Sequence, residues 1–176
     1  MKKLQARRAG WLLAALLVPA LAFAHGGATG VVHDRMESMK DMKGAMKELK
    51  PIVAGSADYN ADTVKAQAAR LVKGSGHHML MMYPEGTFTK PSEAKPLVRE
   101  DWKTFSQWSN DMERVGKAMQ HNASNGLGKA TLSKADIAKL RVADMTDSQL
   151  QSMSVADLYQ VAGSTCSSCH KRFKKD

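Results

Sequence analysis

Aromatic residues make up only 6% of this 176-residue chain, which also has just two cysteines and five prolines. Two cysteines cannot build the disulfide framework of a small secreted scaffold, and they cannot complete a four-thiolate zinc site. So few aromatics, with no Lys/Arg block interleaved among them, exclude a reader of single-stranded nucleic acid. Strand signals are scarce: apolar alternation is rare, and no hairpin dipeptide joins two β-rich runs. No apolar stretch reaches the ~20 residues that a spanning helix needs, so no stable membrane insertion is expected. No nucleophile, base and acid stand out as a set, and the chain is not read as an enzyme. What remains is a composition rich in Ala, Lys, Leu and Met, with 12 methionines, which favours helix.

The first residues carry an address. Lys2, Lys3, Arg7 and Arg8 form a charged region, Trp11 to Leu21 a short apolar run, and Ala22-Phe23-Ala24 a small-residue cleavage site. This predicts a signal peptide over 1–24, export to the periplasm and a mature start at His25. Removing the four basic residues from the 26 leaves 22 against 17 acidic ones, a mature charge of +5. That is modestly basic and does not suggest a nucleic-acid partner.

The mature chain, 25–176, is one domain by size, and its periodicity predicts four helices. The first covers about 29–54, with Val32, Met39, Met42, Met46, Leu49 and Val53 along one seam and Arg35 as its polar member. The second covers about 61–78, capped by Asn60, with Val64, Ala68, Leu71, Val72 and Met79 on one side. Residues 83–95, opening Tyr-Pro-Glu-Gly, form a loop. The third helix follows Pro96 and runs to about 121, burying Val98, Trp102, Phe105, Met112, Val115 and Met119. Residues 122–147 read as an uncertain loop or insertion, with a short helix capped by Ser133. The last helix opens at Ser154, with Asp157 as the reciprocal member of a capping box.

That last helix holds Cys166-Ser167-Ser168-Cys169-His170. C-x-x-C-H is the attachment signature of a covalent c-type haem, and its chance occurrence here is on the order of 1 in 2,500. Both thiols add across porphyrin vinyl groups, and the histidine offers a nitrogen to the iron. Positions i, i+3 and i+4 share one helix face, so all three side chains can meet one flat ligand. A thioredoxin-like redox pair would want a strand before the motif. Here helix is expected on both sides. Lys171, Arg172, Lys174 and Lys175 follow. They read either as a solvated helix end or as a rim that steers an acidic partner.

Three stretches together resemble the class II cytochromes c, the cytochrome c′ family, and more closely its low-spin His/Met branch. They are Arg35-x-x-x-Met39-Lys40, Tyr83-Pro84-Glu85-Gly86-Thr87, and Cys166 through Phe173. The resemblance covers about 30–121 and 148–176. It implies an all-α antiparallel four-helix bundle with one covalent haem c near the C-terminus. It also implies that Met39 faces the iron opposite His170 and that Arg35 pairs with a haem propionate. Ordinary core packing for Met39 and a surface ion pair for Arg35 are the competing readings. Family members are often dimers, so monomer or homodimer stays open.

Three functions follow. The first is an electron carrier with low-spin His170/Met39 iron, exchanging electrons with redox partner proteins. The second is a high-spin haem that binds NO or CO. The third, less favoured, is copper handling by His77, His78, Met79, Met81 and Met82, because thioethers suit Cu(I).

Overall fold

A computed structural model describes residues 27–176. The signal peptide read over 1–24 and the mature start at His25 lie outside the described residues. Among the described residues no helix is long and apolar enough to cross a membrane. No strand forms among them either, only an isolated antiparallel bridge between Ala94 and Lys174.

Four long helices carry the structure: α1 (Gly30–Val53), α2 (Ala61–Lys73), α5 (Trp102–Asn122) and α8 (Val155–Phe173). Between them lie α3 (Gly76–Met81), α4 (Leu97–Glu100), α6 (Lys134–Lys139) and α7 (Asp147–Gln151). α1 packs on α2 and α8, and α5 packs on the same two, so the four long helices close into a bundle. The caps explain several starts. The Asn60 side chain accepts from the Thr63 amide at 2.7 Å, and the Ser154 hydroxyl from the Asp157 amide at 3.0 Å, each satisfying an amide that the first turn leaves unpaired.

The apolar seams point inward in part: Val32, Met39, Met46 and Val53 of α1, Val72 of α2 and Trp102 of α5 are only half-buried, and Ala45 and Ile52 join the buried face of α1. Met42, Ala45, Leu49 and Ile52 of α1 are buried, as are Val64, Ala68 and Leu71 of α2 and Phe105, Met112, Val115 and Met119 of α5. Leu49 and Leu71 are wholly excluded from solvent, and truncating such a leucine to alanine costs about 2–5 kcal/mol. α2 and α5 approach closely at Gly116. A methyl group there would stand 2.8 Å from Val72 Cγ2 and 3.3 Å from the Val72 amide nitrogen, which leaves room only for hydrogen.

Two expected helices are each broken in two. The one expected over 61–78 stops at Lys73. The Ser75 hydroxyl turns back to the Leu71 carbonyl at 2.6 Å, Gly76 takes φ +58°, and α3 starts afresh. Met79, assigned to that longer helix, is buried from α3 instead. The helix expected from Pro96 is broken at Asp101, whose side chain caps α5 through the Thr104 amide.

The insertion is folded rather than loose. Ser133 and Asp136 form a full capping box on α6, as do Thr146 and Gln149 on α7. Ile137, Val142 and Leu150 join the bundle core. Arg114 of α5 ties this segment down. Its Nε donates to Asp147 at 2.8 Å, and its other nitrogens donate to the Val142 and Met145 carbonyls. Asn122 donates to the Gln151 and Met153 carbonyls. Asp157 accepts from the Thr131 and Leu132 amides at 2.9 and 3.1 Å. It therefore does not reciprocate the Ser154 cap through the Ser154 backbone, as a capping box requires.

Candidate functional site

α8 presents Cys166, Cys169 and His170 to a cavity of about 740 Å³, within the ~300–1,000 Å³ usual for cofactor sites. The opposite wall is α1, which contributes Val32, Arg35, Met36, Met39, Met42 and Met46. Tyr83, Val98, Phe105 and Phe173 close the interior end. The Tyr159 hydroxyl reaches the Met46 carbonyl at 3.4 Å and links α8 to α1. A methyl group on Gly163 would lie 3.9 Å from Met46 Cε, so the two helices run close on that side of the space.

The C-x-x-C-H turn is anchored from behind. Phe173 is buried and meets Phe105 edge-on at 5.4 Å and Trp108 at 5.7 Å. Phe105 in turn meets Tyr83 at 4.6 Å. The Lys95 amide donates to the Phe173 carbonyl at 2.8 Å, and the Lys175 amide to the Glu93 carbonyl at 2.7 Å. The loop at 93–95 thus clamps the chain just past His170.

Burial pushes the Cys166 thiol up to about 11. Burial, with the neighbouring Cys166, pushes Cys169 up to about 12. These thiols are protonated at neutral pH and are not joined by a disulfide. A thioredoxin-like pair needs a lowered thiol pKa and a strand before it. Both cysteines instead lie well inside α8, so that reading is excluded. His170 is held below the usual imidazole range by burial and by Lys174, partly offset by Glu93. Its imidazole is therefore neutral at neutral pH, the form that can bind a metal.

Arg35 is buried, with 4% of its surface exposed, although a seam end near solvent would have been an easier place for it. One terminal nitrogen donates to Ser92 Oγ at 3.3 Å; the other donates to Thr87 Oγ1 at 2.9 Å and to the Thr87 carbonyl at 3.2 Å. The guanidinium stacks over the Tyr83 ring at 4.4 Å. Its Nε has no partner, the only such buried side-chain nitrogen or oxygen among the described residues. No ion pair among the described residues includes Arg35, so the surface-pair reading fails. A buried cation on a cavity wall without an anion is costly, and this suits the wall to a ligand that brings carboxylates. Sequence reasoning did not find Thr87, Ser92 or Tyr83 as partners of Arg35. The Tyr-Pro-Glu-Gly signature beside them was the available signal.

Met39 stands on the cavity wall one turn beyond Arg35, with Met36 and Met46 also on that wall. Met42 faces partly away, since a methyl group on Gly74 would lie 2.5 Å from its Cγ. Lys40 and Lys43 border the cavity from the exposed side. The site therefore brings Cys166, Cys169, His170, Met39 and Arg35 to one space. Its chemistry is that of a large, flat, anionic cofactor held by two thiols and an imidazole.

A model of the family described as Cytochrome C′ matches residues 30–142, a span that ends before Cys166. The fold is similar to cytochrome c′ from Thermochromatium tepidum, at 18% identity and a TM-score of 0.61, over 83% of this chain and 95% of that one. A ferrous variant of cytochrome c′ from Alcaligenes xylosoxidans with bound NO matches at 19% identity and a TM-score of 0.58, over 83% and 94%. A carbon monoxide-bound variant from the same organism matches at 18% identity and a TM-score of 0.60, over the same shares. No curated protein matches the chain.

Proposed function

The chain belongs to the cytochrome c′ family, and from that premise we propose that it is a periplasmic haem protein that binds a diatomic ligand, NO or CO, on the side of the haem walled by α1. Members of the family carry one covalently bound haem c per chain, and the cavity fits that group. Cys166 and Cys169 would hold it by thioether bonds, and His170 would bind the iron. Arg35 would pair with a propionate, which supplies the anion that its buried guanidinium lacks. When bound, the haem supplies an iron centre for one-electron change or for small uncharged ligands.

The observation that carries this proposal is the character of the α1 wall. Opposite His170 it offers Val32, Met36, Met39 and Met46, with no imidazole or carboxylate from α1. Apart from Arg35 and the bordering Lys40 and Lys43 this wall is apolar, and it suits a small, weakly polar molecule. The solved structures with NO and with CO bound lend this reading further support. The chain's own part is then to fix one ligand, shield the other side and neutralise a propionate. It is read as a binder, not an enzyme.

A second reading rests on Met39. Its thioether is a soft donor one turn from Arg35 on that same wall. If the sulfur bonds the iron, the protein is a low-spin His170/Met39 electron carrier that serves redox partner proteins. His/Met ligation would raise its potential.

One experiment separates the two. The reduced holoprotein should show a high-spin visible spectrum and take up CO promptly, with little change in Met39→Ala. A low-spin spectrum with sharp split bands, turned high-spin by Met39→Ala, would overturn gas binding and leave the carrier.

A further inference from the structure

The dense His/Met run at 77–82 is divided by the fold into two populations. Met79 and Met82 are buried at 5% and 6% exposure, and they root α3 in the core. His77 and His78 are exposed, and Met81 is 66% exposed, the one exposed large hydrophobic residue among those described. At about 100° per residue, Met81 lies about 40° round the helix from His77 and about 60° from His78. The three donors therefore occupy one arc of about 100°, with Met81 between the two imidazoles. His77 and Met81 stand at i, i+4, and His78 and Met81 at i, i+3, the spacings at which helical side chains meet.

A single exposed methionine is ordinary by itself. The pairing with two exposed imidazoles makes this one different. Neither imidazole has a hydrogen-bond or ion-pair partner among the described residues. The backbone beneath is held firmly: the Ser109 hydroxyl donates to the Gly76 carbonyl at 3.1 Å, and the Ser75 hydroxyl to Leu71 at 2.6 Å. The backbone at the start of α3 is thus fixed. Among the described residues no three of His, Cys, Asp and Glu gather to hold a metal. A site here must include a thioether. Glu113, whose carboxylate lies against Gly76, is paired with Lys117 at 2.6 Å, and two imidazoles with a thioether favour a soft monovalent ion over Mg, Ca and Mn.

We propose that His77, His78 and Met81 form a surface site for one copper(I) ion, separate from the haem. The site would adjoin one wall of the haem cavity. Only Met82 separates Met81 from Tyr83, which lines the haem cavity, so the two α-carbons are at most ~7.6 Å apart.

The test is a titration of the ascorbate-reduced holoprotein with copper(I) against a coloured copper(I) chelator. Occupied haem keeps the methionines of the cavity wall out of the measurement. Wild-type protein should withdraw one copper per chain from the chelator. Met81→Leu and the His77→Asn/His78→Asn double variant should each weaken that binding at least tenfold while the haem spectrum and helical content stay unchanged. X-ray absorption at the copper edge should show both nitrogen and sulfur neighbours in wild type, and no sulfur in Met81→Leu. Undiminished binding in either variant, or failure of wild type to compete for one equivalent, overturns the proposal. None of these outcomes depends on how the haem iron is ligated.

Discussion

Two arginines turned inward from long helices have opposite fates. On the insertion side, Arg114 spends its Nε on Asp147 and its other nitrogens on two carbonyls, so its charge is balanced within the chain. On the cavity side, Arg35 has three acceptors but no carboxylate, and its Nε is left over. The first network is complete and holds a segment in place. The second lacks an anion that the chain does not provide. An unfinished polar network thus marks the functional side of this bundle: Arg35 is buried without an anion, whereas Arg114 is partly exposed and paired with an exposed Asp147.

The largest test of that contrast removes the cofactor's anchors. Cys166→Ser with Cys169→Ser should abolish covalent haem, so that acid acetone strips the protein of colour. The insertion should stay folded, read as unchanged protease resistance across 123–153. Covalent haem retained in the double variant would show that it is attached elsewhere. Next, Arg114→Ala should cost about 1–3 kcal/mol in urea unfolding, because Val142 and Met145 lose their partner. That cost should be the same with and without haem. Arg35→Ala should destabilise the haem-loaded protein more than the haem-free protein, where only its bonds to Thr87 and Ser92 are lost. An equal penalty in both forms would remove the propionate role.

The smallest effect concerns acid. Burial works to raise the Asp157 carboxyl, but hydrogen bonds from Leu132, Thr131 and Ser154 outweigh it and hold the group below the usual carboxylate range. A carboxyl lowered by folding contributes stability that is present above its unfolded value. That stability is lost as pH falls through the lower, folded value. Asp157→Asn should therefore lower stability at neutral pH and flatten its decline below about pH 4. An unchanged acid limb would mean that the contacts at 131–132 add nothing.

What was legible from sequence was local. The bounds of α1, the Ser154 cap, most of the inward face of each long helix and the Cys166–His170 face follow from spacing within a few turns. The haem expectation needed no tertiary information, because its motif lies within one turn and a half. Gly74 and Gly76 signalled a weak end to the second helix, but only their packing against α1 and α5 shows that the chain breaks and restarts there; Asp101 gave no such signal, because its partner Arg172 lies 71 residues away. Asp157 was misread for the same reason: its sequence neighbours suggest a cap, while its partners at 131–132 lie 25 and 26 residues away. Arg35 was picked out as the odd member of its seam. Thr87 and Ser92, 52 and 57 residues on, were out of reach.

The meeting of α1 with α8 has a bearing on how the protein is made. These are the first and last of the four long helices to leave the ribosome, and every other helix is synthesised between them. Their contact closes nearly the whole domain, so it carries the greatest loop entropy of any pairing in the bundle. The pocket between them therefore carries the largest closure cost of the bundle. Thioether bonds formed at Cys166 and Cys169 would then act as a latch, fixing the latest-made helix to a cofactor that also touches the earliest.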